Sequence, residues 1–159
     1  METTKKNYAK RDSYALASKL IDEAIVHNFP LQAITIEESI ISDRLWSALK
    51  SVKVKSQKHE SMGAALEVWK NLRKDSSKEN PFDEEMENLR EKLTNWWDRR
   101  NKLIHGIAKS PVGGRPQITA VNFVKSAVDA ANDGKELVRI VKNWSQKKIR
   151  KAKRASSKI

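Results

Sequence analysis

Arg100, Asn101 and His105 are the residues of this chain whose types and spacing best suit chemistry. They fall at the end of the clearest apolar periodicity in the sequence, Met86, Leu89, Leu93, Trp96, Trp97, Leu103, Ile104 and Ile107. Those positions recur at the helical period. Advancing about 100° per residue, Arg100 comes within about 20° of Leu93, at the centre of the apolar stripe. A guanidinium cannot be neutralised and is costly to bury unpaired. Arg100 must therefore meet an acid, or lie at a cleft or subunit interface where it can bind an anion. His105 stands about 140° further round the helix, with Asn101 between the two in projection. Gly106 is placed to cap the helix end.

The acids placed to support Arg100 are Glu37 and Glu38, of which Glu38 lies about 40° from the centre of its own helix's stripe. Pairing with one of them for structure alone is compatible with an anion-binding role if the acid positions the guanidinium. Arg99, Lys102 and Lys109 flank the motif and are either guides for a polyanionic partner or solvated charge. His27 and His59 stand at helix ends, where solvation is expected. Three histidines with no H-x3-H or H-E-x-x-H spacing offer no metal site. Pro111-Val112-Gly113-Gly114 lacks the G-K-[ST] of a nucleotide-binding loop, so no cofactor is expected.

The elements that must position these residues read as helices throughout. A first helix is expected over about 12–27, capped by Asp12 or Ser13 and ended at Asn28-Phe29-Pro30, since proline disfavours helix in the residue before it. A second covers roughly 31–54 on the stripe Ile34, Ile41, Leu45, Ala48 and Val52. Ser61 opens a shorter third through Met62, Ala65, Leu66, Trp69 and Leu72. The fourth carries Asp83, Glu84 and Glu85 in its first turn, where the macrodipole favours negative charge. Ser110–Pro116 breaks the chain before a fifth helix over about 119–144, which Gly134 weakens at its middle. Trp69, Trp96 and Trp97 lie on apolar stripes and are expected in the core or a dimer contact. Trp46 lies off its stripe and is the better candidate for an interface. No segment alternates with a period of two for long enough to form a strand. The fold class is all-α, an up-and-down bundle of four to five helices over 8–145. Residues 146–159 follow as a basic tail or helix extension.

Bulk composition narrows the function classes. The 159 residues, 38% apolar and 33% charged, suit one ordinary domain. Five glycines and four prolines argue against a loop-rich or all-β chain. The absence of cysteine excludes a disulfide scaffold, a thiolate metal site and cysteine catalysis. No apolar run reaches the roughly 18–20 residues that span a bilayer, and the basic start lacks the apolar core of a secretory signal. A cytoplasmic protein with no membrane partner is expected. The net charge of +12 is uneven, with seven lysines and arginines and no acid in the last 15 residues. Lysine and arginine gain free energy by displacing the counterions of phosphates, so a nucleic acid is the favoured partner. No short helix pair with a polar recognition face points to duplex DNA.

The string Arg100-Asn101-Lys102-Leu103-Ile104-His105 resembles the signature of the HEPN superfamily. That signature is an arginine, usually followed by a polar residue such as asparagine, then a histidine after four to six intervening positions; here there are four. Its placement near the end of a long helix in the second half of an all-helical domain is also similar. The segment Ile36–Leu45 resembles the second helix of HEPN proteins from bacterial defence loci. The likeness covers most of residues 8–145, of which only the six-residue motif, taken with its all-helical context and placement, is diagnostic.

The resemblance implies an endoribonuclease that works without metal, acting as a toxin or antiviral effector in a prokaryotic cytoplasm. Two protomers would pack so that both motifs face one composite cleft. His105 would act as general base on a ribose 2′-hydroxyl, suited by imidazole's ordinary pKa of about 6.5. Arg100 would grip the scissile phosphate, and Asn101 would orient a phosphate or the histidine. A 2′,3′-cyclic phosphate would result, and DNA would not be cut. Toxins of this family silenced by a nucleotidyltransferase carry a tyrosine two places after the histidine. Ile107 stands there instead, so a different antitoxin or inhibitor protein, or a stand-alone defence role, is expected. The alternative is a non-catalytic HEPN-like module that binds RNA or a protein and keeps Arg100 for structure.

Overall fold

A computed structural model describes residues 2–55, 59–74, 85–106 and 120–156. They form five α-helices: α1 (Glu2–Val26), α2 (Pro30–Ser51), α3 (Met62–Lys74), α4 (Glu85–Gly106) and α5 (Ala120–Ser156). No strand occurs among the described residues.

The turn between α1 and α2 is built by backbone geometry. Asn28 adopts φ 59°, and Phe29 N–H reaches back to the Ala24 carbonyl at 2.7 Å while Asn28 N–H bonds Ile25 O. This paired return satisfies carbonyls that a helix end leaves open, and asparagine tolerates the left-handed conformation it needs. Pro30 then takes the first helical position, where its missing N–H matters least. α2 ends with the same device, this time with Lys53 at φ 64° and Val54 N–H bonded to Leu49 O. The Ser61 hydroxyl accepts from Ala64 N–H at 3.2 Å and so caps α3.

α2 and α5 form the central pair and share the largest interface, with α1 against both, α4 against both, and α3 against α2 and α4. Small residues let the central pair approach closely: Ala33 on α2 and Ala127, Ala130 and Ala131 on α5 are all buried. The core is completed by Ile34, Ile41 and Leu45 of α2, Met62 and Leu66 of α3, Leu93 and Trp96 of α4, and Val141 of α5. Trp69 and Trp144 stack with centroids 4.9 Å apart and bridge α3 to α5.

Three expectations differ from the structure. α1 begins at Glu2, ten residues before the expected start. α5 passes unbroken through Gly134, where the sequence suggests a weak point, and of the two alternatives for the basic segment it takes the helix extension, to Ser156. Trp46 is not at a free surface: it is 2% exposed, and its indole N–H donates to the Ser61 carbonyl at 3.1 Å. That bond gives the ring's polar edge a partner inside the core, which allows a residue lateral to the stripe to be buried.

Candidate functional site

The last two turns of α4 carry the candidate residues. Leu93, Trp96 and Leu103 on the same helix are buried, which turns Arg100 toward α2. Its guanidinium forms an ion pair with the Glu38 carboxylate of α2, and both side chains are about four-fifths covered (18% and 21% exposed). The other terminal nitrogen of Arg100 donates to the Asn101 side-chain oxygen at 2.9 Å. The arginine thus finds an acid, and Glu38 is the one it finds. Glu38 also lines an open cleft of about 430 Å³ with Thr35, Ser39, Ser42, Asp43, Trp46, Glu60, Ser61 and Met62. The side of the pair away from α4 therefore faces a solvent-accessible groove between α2 and the start of α3.

His105 is exposed in the final turn of α4. Among the described residues no hydrogen bond or ion pair joins it to the Arg100 group. Five helical positions separate them by about 140° and roughly 7.5 Å along the axis. The chain therefore holds the Arg100 guanidinium against α2 and presents the His105 imidazole to solvent.

The other expected site residues part company. Glu37 does not reach Arg100. It is fully buried beside Gly134 and Trp96, and neither carboxyl oxygen has a hydrogen-bond partner. Burial pushes its carboxyl up from 4.5 to about 8, with the Asp133 charge adding to the effect and the Lys135 charge opposing it. A neutral acid is the form an apolar site favours. Arg99 is held by Asp133 of α5 at 2.5 Å, while Lys102 is exposed. Arg99 and Asp133 also line a cleft of about 510 Å³ between α4 and α5, with Trp96 and Leu137 at its floor. Lys109 and Ile107 lie outside the described residues.

One cluster had no counterpart in the motif reading. The Tyr14 hydroxyl of α1 donates to Asp43 of α2, which also accepts from Lys10 at 3.0 Å. Arg44 lies over the Tyr14 ring at 4.0 Å, and Lys142 of α5 approaches the same ring at 5.7 Å. Burial pushes the phenol up, reinforced by the bond to Asp43 and that residue's charge. Burial alone would raise Asp43, but hydrogen bonds from Tyr14 and Lys10 hold it below the ordinary carboxylate range. Tyr14 sits on the apolar period of the first helix, so its sequence position signals only packing.

The Arg100–Asn101 pair is a preorganised anion contact whose present occupant is Glu38. The imidazole of His105 is exposed to solvent at the end of the same helix. Among the described residues no group of three histidines or carboxylates is arranged to hold a metal ion. No helix among them is long and apolar enough to cross a membrane. Comparison of the chain with protein-family models, curated proteins and solved structures returns no match.

Proposed function

We propose that the chain is an endoribonuclease of the HEPN type, acting as a homodimer and serving as a toxin or antiviral effector. The observation that carries this reading is the Arg100–Asn101 pair, locked on the inner face of α4 by Glu38, with His105 exposed at the end of the same helix. His105 takes the proton of a ribose 2′-hydroxyl. The 2′-oxygen attacks the adjacent phosphorus as the bond to the 5′-oxygen breaks, and the departing oxygen takes a proton from an imidazolium or water. Arg100 exchanges part of its contact with Glu38 for a phosphate oxygen and stabilises the charge that builds there. The products are a 2′,3′-cyclic phosphate and a 5′-hydroxyl. No metal is required by this route.

The test is cleavage of single-stranded RNA in EDTA, with His105→Ala as the decisive variant because the side chain is exposed and its removal spares the core. Loss of cleavage with an unchanged melting curve supports the reading; equal cleavage by the variant overturns it. A second reading, a non-catalytic module binding RNA or protein, is favoured by the Arg100–Glu38 ion pair, which satisfies the guanidinium within the chain. It requires that wild-type protein bind its partner without cutting RNA, and that His105→Ala change neither.

A further inference from the structure

The C-terminal part of α5 is a basic rod and not a loose tail. From Leu137 to Ser156 the helix carries eight lysines and arginines and no acid. Val138, Val141, Trp144 and Ser145 are buried, and Ile149 and Ala152 continue the same stripe as half-buried positions. At about 100° per residue, Lys147, Arg150, Lys151, Lys153 and Arg154 spread over the opposite half of the helix, with Lys142 at its edge toward α1. Lys147, Arg150, Lys151 and Arg154 are exposed. From Lys142 to Arg154 the rod spans about 18 Å.

Neighbouring elements add charge to the same end of the bundle. The antiparallel register of α1 on α5 is fixed by Asp22 with Lys135, 2.7 Å apart, and by Tyr14 with Lys142. Lys10 and Arg44 gather around Tyr14, with Asp43 the only acid of the cluster among the described residues and paired there with Lys10. The same register sets exposed Tyr8 level with Lys148 and Ile149, with the Arg11 guanidinium 5.4 Å from its ring.

We infer that this face, formed by the α5 extension with Lys10, Arg44 and Tyr8, is a docking surface for single-stranded RNA, held by its phosphates. Spaced cations on a rigid helix match a polyanionic strand, and an exposed aromatic ring offers a stacking face to an unpaired base. A membrane surface fits less well, because the apolar residues of the segment turn into the bundle and leave no large apolar side chain to insert. The surface is separate from Arg100 and His105 and does not depend on their being catalytic.

The experiment measures the affinity of the full chain for a labelled, unstructured 20-nucleotide RNA across a salt series, in EDTA and in a His105→Ala background so that no cleavage intervenes. Replacing Lys147, Arg150, Lys151 and Arg154 by alanine keeps helix propensity. The expected result is at least a tenfold loss of affinity, with the log–log salt slope shallower by roughly 2 to 3, at about 0.7 per phosphate released from a single strand. Tyr8→Ala alone should weaken binding about fivefold or more. Removing four exposed cations elsewhere (Lys19, Lys70, Lys92 and Lys125 to alanine) should change affinity less than threefold. Equal losses in the two four-site variants would mean that net charge alone acts, and would overturn the surface. So would unchanged RNA binding, or binding of the wild type to phosphatidylserine vesicles that the first variant abolishes while RNA affinity stays the same. Because only binding is read, failure here leaves the nuclease reading standing, and a catalytically dead protein does not affect this test.

Discussion

Gly134 of α5 lies directly against the carboxyl of Glu37 on α2, with no room for a side chain between them. A Cβ at position 134 would overlap Glu37 Oε2 and stand 2.7 Å from its Cδ and 2.8 Å from Trp96 Cζ2. Glycine inside a helix costs about 1 kcal/mol relative to alanine, so its presence needs a packing reason, and the buried acid supplies one. Gly134→Ala should therefore destabilise the fold by about 2 kcal/mol in urea unfolding at neutral pH, because overpacking outweighs the gain in propensity. A rise in stability of about 1 kcal/mol, the propensity gain alone, would show that the carboxyl is not packed there.

The same acid makes stability depend on pH in an unusual direction. Glu37 ionises near 4.5 when unfolded and near 8 when buried. Below 4.5 both states are protonated and its contribution is constant. Between these values the folded state holds a proton that the unfolded state has lost, so stability falls as pH rises, then levels above about 8. The slope for one such group approaches 1.4 kcal/mol per pH unit, or on the order of 5 kcal/mol over the window. The difference in unfolding free energy between wild type and Glu37→Gln, measured from pH 4 to 9, should show this decline. A flat difference would mean that the acid finds water or a cation.

Much of the architecture was legible in the sequence because each helix carries its own apolar period, and Pro30 and Ser61 mark starts in ways that local geometry dictates. Adjacent Glu37 and Glu38 were not separable, since both lie near the inner side of α2 and only the positions of α4 and α5 decide which meets a guanidinium. Gly134 read as a weak point because its reason lies on another helix. The start of α1 has no apolar period, and Trp46 needed the Ser61 carbonyl, fifteen residues away, to explain its burial. The pairing of Arg99 with Asp133 was hidden for the same reason.

Lys53 offers a simple test of the α2 terminus. A non-glycine residue in the left-handed region carries a steric cost of about 1 kcal/mol, which glycine avoids. Lys53→Gly should raise stability by about 0.5 to 1 kcal/mol, since the return bonds from Lys53 and Val54 use backbone atoms alone. Lys53→Val, which disfavours that conformation more strongly, should lower it. Paired thermal or urea melts check both signs.

Arg100 and Glu38 are covered enough that each depends on the other. Removing either alone leaves a half-buried charge unpaired, so Glu38→Ala and Arg100→Ala should each cost about 2 kcal/mol. The double variant should cost little more than either single one, giving a coupling of about 1 to 2 kcal/mol in a double-mutant cycle. Additive losses would place the two side chains in separate, solvated positions. The cycle also sets a control for activity: an Arg100→Ala protein is to be assayed only at a temperature where it remains folded.

The orientation of the two motif residues makes the composite cleft of the proposed enzyme testable. Within one chain the Arg100 guanidinium turns to α2 while His105 faces solvent about 140° round the helix. If catalysis joins Arg100 of one protomer to His105 of the other, Arg100→Ala and His105→Ala proteins are each inactive but complement when mixed. A randomly reassorted population is half heterodimer, each heterodimer holds one intact site of two, and activity should recover to roughly a quarter of wild type. The measurement is RNA cleavage after co-refolding the two variants, with each variant refolded alone as the baseline. If the mixture cuts no faster than that baseline while both proteins are folded and dimeric, arginine and histidine do not meet across a two-fold axis, and the shared cleft must be abandoned.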